Sequence, residues 1–440
     1  MRTLYNILFT VFFVIASPYY FIRMRRRGNW QAGFWQRFGY FDAKFKQAIT
    51  NRHVLWMHAV SVGEVNLCTQ LIKSLQRRMP NLKIVVSTTT TTGMQRLVDR
   101  LPAHISKIYY PVDHRRSVAR ALATIHPEAV VLVEAEIWPN FIWRIQDRRV
   151  PLFLVNARLS DRSYRGYRRF ERLFRPLFAT FKGVGAQNTQ DRDRLIELGC
   201  LPEAVRVVGN LKYDAAKLDE KSGLDVRRLF QQIGIGPGAL LLVAGSTHDG
   251  EEALLGEMLP RLRRQFPSLF LILVPRHFER SKDVGRQLER AGVKFIYRSE
   301  INGMTQLKPG EVDCLLVNST GELNYFYEQA SVIFVGKSLT AQGGQNPIEP
   351  GALAKAMVFG PHMQNFADVV RGFLASDGAV QVPDAAGLES TLAALLADPA
   401  RREVLGRNAQ KVVRENLGAV ERTVDMIVEQ LASGEIFIAR

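Results

Sequence analysis

Short runs almost continuous in Val, Ile, Leu and Phe, separated by helix-length amphipathic stretches, recur through most of this 440-residue chain. Runs of that kind are strands buried on both faces, and such strands belong to parallel sheets flanked by helices. The first series is His53–Ala59, Leu82–Ser87, Lys107–Tyr110, Ala129–Glu134, Leu152–Asn156, Gly183–Ala186 and Val205–Val208. A charged stretch then leads into Gly234-Ile-Gly-Pro-Gly238 and breaks the pattern. The second series is Leu240–Ala244, Leu269–Val274, Lys294–Tyr297, Cys314–Val317, Val332–Val335 and Met357–Phe359, and from about 385 to 433 the chain reads as helices alone. The expectation is an α/β protein of two Rossmann-like domains facing each other across a cleft. The first covers 31–215, a linker 216–238, and the second 239–433 with its C-terminal helices.

Charge separates the halves. Residues 1–215 hold 34 Lys and Arg against 15 Asp and Glu, and the remainder holds 25 against 27. A basic half implies an anionic partner: nucleic acid, an anionic lipid surface or a phosphorylated substrate. The first thirty residues favour lipid. Leu4 to Ile22 is largely apolar and is followed at once by Arg23, Arg25, Arg26 and Arg27. A cleaved signal would carry its charge before the apolar run, so 1–30 reads as a membrane anchor with a basic flank. The positive-inside rule keeps the arginines, and the chain after them, in the cytoplasm. A spanning helix and a shallow interfacial one both fit, and a buried core helix is the bland alternative. Cys68, Cys200 and Cys314 are far apart and read as plain thiols of a reducing compartment.

Ligands of open α/β sheets bind beyond the carboxyl ends of strands. In the first half those loops carry Ser61-Val-Gly-Glu64, then Glu134 and Glu136 before Ile137-Trp-Pro-Asn140, then Gly209-Asn-Leu-Lys212. A glutamate at a helix start also has a plain structural use, since it complements the helix dipole. In the second half they carry Gly245-Ser-Thr-His248, Val274-Pro-Arg-His277, Gly321-Glu322 and Gly343-Gly-Gln-Asn346-Pro-Ile-Glu349. Helix N-termini, hydroxyls and a guanidinium there suit a phosphate. Gly336-Lys-Ser338 is not a P-loop, because Ser331 stands where the first glycine is required. Asp191-Arg-Asp193 reads as helix capping, and the eight histidines show no paired metal spacing. Arg158, Arg162, Arg165, Arg169 and Arg172 recur every three or four residues, which predicts a basic stripe on one helix face suited to lipid headgroups. No recognised nucleic-acid motif accompanies the charge, and no nucleic-acid partner is expected.

Taken in order, Ser61-Val-Gly-Glu64, Glu136-Ile-Trp-Pro-Asn140, Asn156-Ala-Arg-Leu-Ser160, Val274-Pro-Arg-His277, Gly321-Glu-Leu323 and Gly360-Pro-His362 resemble the Kdo transferases of lipopolysaccharide synthesis. These are glycosyltransferases of the GT-B fold. They move 3-deoxy-D-manno-octulosonic acid (Kdo) from CMP-Kdo onto the lipid A precursor, lipid IVA, at the cytoplasmic side of the inner membrane. The resemblance implies Glu64 as general base, with Glu134 and Lys212 stabilising the transition state. It implies CMP held by Pro275 and Arg276, by Thr320, Gly321 and Glu322, and by Asn346, Pro347, Ile348 and Glu349. It further implies inversion, no cofactor, no metal and an anionic inner-membrane surface as partner. Thr320 stands where the family often has methionine, Lys337 where it has a second glycine, and Gln345 where it has histidine. Two rivals stay open: a UDP-sugar transferase of the same fold, and a membrane-bound nucleotide-binding scaffold without turnover.

Overall fold

Strands form where the apolar runs predict them. A computed structural model describes residues 1–26, 31–50, 53–134, 136–216 and 224–433. Arg27 of the basic flank and residues 217–223 of the expected linker lie outside the described residues. The first seven strands are β1 (Val54–His58), β2 (Lys83–Thr88), β3 (Ser106–Tyr109), β4 (Pro127–Val133), β5 (Leu152–Ala157), β6 (Gly183–Ala186) and β7 (Val205–Val207). They lie in the order β3-β2-β1-β4-β5-β6-β7, every pair parallel. The chain leaves β1 toward β2 and later returns to its other side as β4. That reversal places the sheet's switch point at the carboxyl ends of β1 and β4, the position at which open α/β sheets bind their ligands.

Alternate residues feed opposite faces of this sheet. Trp56, Val85, Val130, Leu132 and Leu154 join one apolar cluster with Val118, Leu122, Phe141 and Phe178. Leu55, Met57, Val86, Val131, Val133 and Val155 join another with Leu67, Leu71, Leu75 and Leu97. Val420, Val424, Ile427 and Leu431 of the helix Ala419–Ser433 belong to that second cluster. The sequence reading of 239–433 as one domain is therefore corrected. The chain divides into a unit of Met1–Ala215 with Leu417–Arg440 and a unit of Ala216–Asn416. Each of those four buried side chains contributes about 1.5–3 kcal/mol, which is why the last helix packs there. Asp214 fixes its start by accepting from the N–H groups of Gly418 and Val420, both at 2.6 Å. Arg78 pairs with Asp425 at 2.5 Å along its length.

The second unit repeats the plan with β8 (Leu240–Thr247), β9 (Leu269–Pro275), β10 (Phe295–Tyr297), β11 (Cys314–Leu316), β12 (Val332–Val335), β13 (Met357–Phe359) and β14 (Val380–Gln381). Their order is β10-β11-β9-β8-β12-β13-β14, again parallel throughout. The two-residue edge strand β14 is too short to leave a pattern in the sequence. The switch point of this sheet lies at the ends of β8 and β12.

The predicted arginine stripe is also corrected. The helix Asp161–Arg169 stops at Phe170, whose backbone leaves the helical region, and a second helix, Glu171–Phe178, follows. Arg162, Arg165 and Arg169 stay exposed on the first, while Arg172 stands on the second and Arg158 precedes both. Tyr164, Tyr167 and Phe174 turn inward and pack on the core.

Candidate active site

Glu64 stands at the end of β1, in the first turn of the helix Val62–Arg78. Ser61 caps that helix: its hydroxyl accepts from Glu64 N at 3.2 Å, and the Glu64 carboxylate returns to Ser61 N at 3.3 Å. The same carboxylate accepts from Val60 N at 2.8 Å. This reciprocal cap fixes the side chain, which is only 8% exposed. Burial raises its pKa above the ordinary glutamate value, the Val60 and Ser61 contacts oppose the shift, and the charge of Glu136 adds to it. A carboxylate with two lone pairs per oxygen still accepts a further proton donor.

Glu134 and Glu136 follow β4, the strand beside β1. Burial lifts Glu136, the Trp138 indole N–H at 2.8 Å offsets it, and the charge of Glu134 pushes it further up. The backbone of Glu134 is left-handed, with φ of 60°, and that of Asn156 at the end of β5 is too, with φ of 52°. Such conformations cost on the order of 1–3 kcal/mol and concentrate at functional sites. Asn can adopt this region through local hydrogen bonding, whereas Glu has no such help.

Three neutral amides hold this corner. Asn156, fully buried, donates from Nδ2 to Glu134 Oε1 at 3.4 Å and accepts from Leu211 N at 3.1 Å. Gln187 donates to the Asn156 carbonyl at 3.1 Å and accepts from Asn210 Nδ2 at 2.9 Å, and Asn210 accepts from Lys212 N at 3.0 Å. Glu134 and the Lys212 backbone, which leave strands three places apart, are thus tied into one hydrogen-bonded chain. Gln187 escaped sequence reading, and Asn210 stood in the Gly209–Lys212 loop with no role read for it, because isolated amides carry no spacing signal.

Below them, His58 ends β1 and Tyr110 stacks on it at 3.8 Å between ring centres. Both are buried, and neither His58 Nε2 nor the Tyr110 hydroxyl has a hydrogen-bond partner among the described residues. His58 Nδ1 meets the Ser87 hydroxyl at 2.9 Å, and burial drives the imidazole pKa down to about 3. The ring is therefore neutral at physiological pH.

In the second unit the N–H groups of the loop after β12 are already taken. Glu251, buried at the start of the helix Glu251–Gln265, accepts from the N–H groups of Lys337, Ser338 and Leu339 at 2.7–2.9 Å and from His248 N at 2.9 Å. Gly336 lies so close to the β8 loop that a Cβ there would sit 2.5 Å from the Thr247 Cα. The rejection of a P-loop thus has a physical cause: an internal carboxylate already uses the loop's donors.

Lys337 and Arg280 stand beside it, Arg280 paired with Asp249 at 2.7 Å and with Glu252 at 2.9 Å. Burial and the charges of Lys337, His277 and Arg280 lower the His248 pKa, and the His248 and His277 rings are 5.9 Å apart. Pro275 closes β9 and is buried, and the exposed Arg276 follows, its N–H on the Thr247 carbonyl at 3.0 Å. Asn346 donates to Glu349 at 3.0 Å and accepts from Ile348 N at 3.1 Å, with Pro347 and Ile348 buried. Burial raises the Glu349 pKa while the Arg276 charge opposes it, so Arg276 and the Asn346–Glu349 turn share one neighbourhood. Thr320, Gly321 and Glu322 stand at the end of the adjacent strand β11. There the carboxylate of Glu322 accepts from Arg298 at 2.9 Å and from Ser319, and Thr320 and Gly321 are exposed. Asp191 takes the N–H of Leu159 at 2.9 Å behind a helix capped by Asn188, a structural role.

A family model described as 3-deoxy-D-manno-octulosonic-acid transferase (kdotransferase) matches residues 32–215. A 3-deoxy-D-manno-octulosonic acid transferase of Haemophilus influenzae is 33% identical over 376 residues, covering 85% of this chain and 86% of the relative. Its counterpart in Bordetella pertussis is 31% identical over 429 residues, covering 94% and 97%. A UDP-GlcNAc 2-epimerase of Neisseria meningitidis, solved with UDP-GlcNAc, spans 87% of this chain and all of its own with a TM-score of 0.53 at 14% identity, a likeness of fold alone.

Proposed function

This chain belongs to the Kdo transferases, glycosyltransferases of lipopolysaccharide synthesis, and on that premise we propose that it transfers Kdo from CMP-Kdo to the lipid A precursor with inversion. The observation that carries the assignment is Glu64: a buried carboxylate, fixed by its cap at a sheet switch point, with an acidic neighbour that raises its pKa. A base so poised accepts a hydroxyl proton more readily than an exposed glutamate. In the reaction the acceptor hydroxyl gives its proton to Glu64 and its oxygen forms the new bond to the anomeric carbon. The bond from that carbon to the phosphate oxygen breaks, and CMP leaves with the electron pair. Arg276, Lys212 and the basic surroundings of His248 and His277 stabilise the leaving phosphate, Asn346 and Glu349 hold the nucleotide, and Glu134 steadies the positive charge that develops on the sugar. Neither a cofactor nor a metal enters this scheme. The first unit takes the acceptor and the second the donor, at the cytoplasmic face of the inner membrane.

Incubating the purified protein with CMP-Kdo and lipid IVA and weighing the lipid products tests the proposal. A mass increment of one or more Kdo residues, with the anomeric configuration opposite to the donor's by NMR, is the expected result. Transfer from a UDP-sugar but not from CMP-Kdo overturns the donor, and retained configuration overturns the mechanism.

A further inference from the structure

We infer that the N-terminal helix α1 (Arg2–Arg26) lies along the membrane surface without crossing it, its first turn jointed to the first unit. The inference rests on the membrane-bound reading above. The segment Arg2–Ile22 is long and apolar enough to span, yet both of its ends touch the same folded unit. At the start, Arg2 pairs with Asp147 at 3.0 Å and its guanidinium lies over Trp143 at 5.4 Å. The Tyr5 hydroxyl donates to buried Asp113 at 2.8 Å, and Asn6 accepts from Asn140 Nδ2 at 3.0 Å. Asp113 also accepts from the N–H groups of Asn140 and Phe141, so this joint is part of the helix Pro139–Asp147. At the other end the Phe21 ring meets Phe34 at 6.3 Å, edge to face.

A spanning helix needs about 30 Å of hydrocarbon between its ends. Arg2, Tyr5 and Asn6 would then stand across the bilayer from Phe34, and one folded unit cannot hold partners on both sides. The burial pattern agrees. Tyr5, Asn6, Phe9, Phe13, Ala16 and Ser17, spaced as one helix face, are half-buried, while the intervening apolar residues are exposed. A helix covered on one face by protein and bare on the rest matches an interfacial helix embedded from one leaflet. The charge beside it fits the same leaflet. A cavity of about 460 Å³ adjoins the first turn, and His114, Arg115, Arg116 and Arg144 line it along with Arg2. Arg25 is exposed near the far end. Cations at both ends are complementary to one layer of anionic phospholipid headgroups.

The test uses the full chain with Arg2→Cys and Asp147→Cys, since the native Cys68, Cys200 and Cys314 are buried. The protein is floated with vesicles of phosphatidylethanolamine and phosphatidylglycerol and treated with a short bismaleimide. The expected result is flotation with a cross-link yield equal to that in detergent. Flotation without cross-linking, where the detergent sample does cross-link, overturns the interfacial disposition alone. Absence of flotation by the wild-type chain overturns the membrane reading itself. A second measurement guards against a misfolded double variant: Thr3→Cys in intact spheroplasts should resist a membrane-impermeant maleimide until the cells are opened. Labelling of the intact spheroplasts refutes the inference.

Discussion

Glu64 is a helix cap and the proposed base, and two substitutions separate those roles. Glu64→Gln keeps one acceptor oxygen but turns the other toward N–H groups as a donor. Of the Val60 and Ser61 contacts at 2.8 and 3.3 Å, it retains one. Losing a hydrogen bond to a charged acceptor costs about 1.5–3 kcal/mol. Ser61→Ala removes the hydroxyl that accepts from Glu64 N and costs about 0.5–2 kcal/mol, a similar loss, while leaving the carboxylate intact. The melting temperatures of the two variants should therefore fall together, by roughly 2–4 °C per kcal/mol for units of this size. Their turnovers should diverge. Removing a positioned base lowers kcat by about two to four orders of magnitude, so Glu64→Gln should fall that far while Ser61→Ala loses less than about tenfold. Circular dichroism melts and initial rates of Kdo transfer, read by mass spectrometry, give both numbers. Loss of activity in step with stability in both variants would make Glu64 a cap and nothing more. The pH profile supplies a second check. A base works deprotonated, so kcat/KM should drop as pH falls through the raised Glu64 pKa, and Glu136→Gln should move that limb to lower pH by deleting a like charge.

Arg276→Ala should weaken CMP binding about 10–100-fold by calorimetry, the worth of a charge-assisted contact to phosphate; unchanged affinity would move the phosphate site. Activity should survive exhaustive EDTA treatment, and a loss restored by a divalent ion would overturn metal-independent transfer. Changing Arg162, Arg165 and Arg169 together to Gln should cost on the order of 3 kcal/mol of binding to anionic vesicles, less at high salt, with CMP affinity intact. Equal binding at low salt would make them ordinary solvated surface. His58 predicts an acid limb of stability. Its folded pKa of about 3 lies below the ordinary 6.5, so the unfolded chain protonates first. The stabilisation is whole above pH 6.5 and falls away toward pH 3, by about 5 kcal/mol at its limit. Asp113, raised to about 7 by burial, acts oppositely, being most stabilising below pH 3.8 and losing its effect as pH rises through 7. Denaturation of wild type and His58→Gln across pH 6.5–4 isolates the histidine, because Asp113 is common to both. Parallel curves would refute the assignment.

Strands buried on both faces leave an unbroken apolar signature, and so the two sheets were legible in the sequence. Their carboxyl ends carry Glu64, Glu134 and Arg276, the residues that the strand pattern singles out as candidates. The last helix was visible as a helix, but Val420, Val424, Ile427 and Leu431 say only that something is covered, not which sheet. Nothing in the sequence marks Glu251, and only the fold reveals that the β12 loop wraps around it. The amide chain through Asn156, Gln187 and Asn210 spans 54 positions and has no period to detect. The break at Phe170 follows neither proline nor glycine, so the arginine spacing promised a longer helix than forms.

The helix Ala419–Ser433 gives the chain a particular order of birth. The first sheet is synthesised early, yet the apolar face of Leu55, Met57, Val86 and Val131 waits for residues near the very end. The intervening unit, Ala216–Asn416, is continuous in sequence. At usual elongation rates of about 5–20 residues per second it takes roughly 10–40 s to emerge. For that interval the older half is the unfinished one, and the younger half completes first. A ribosome-nascent chain of residues 1–416, extended by a linker long enough to clear the exit tunnel, should show the second unit resisting protease while the first is still cut.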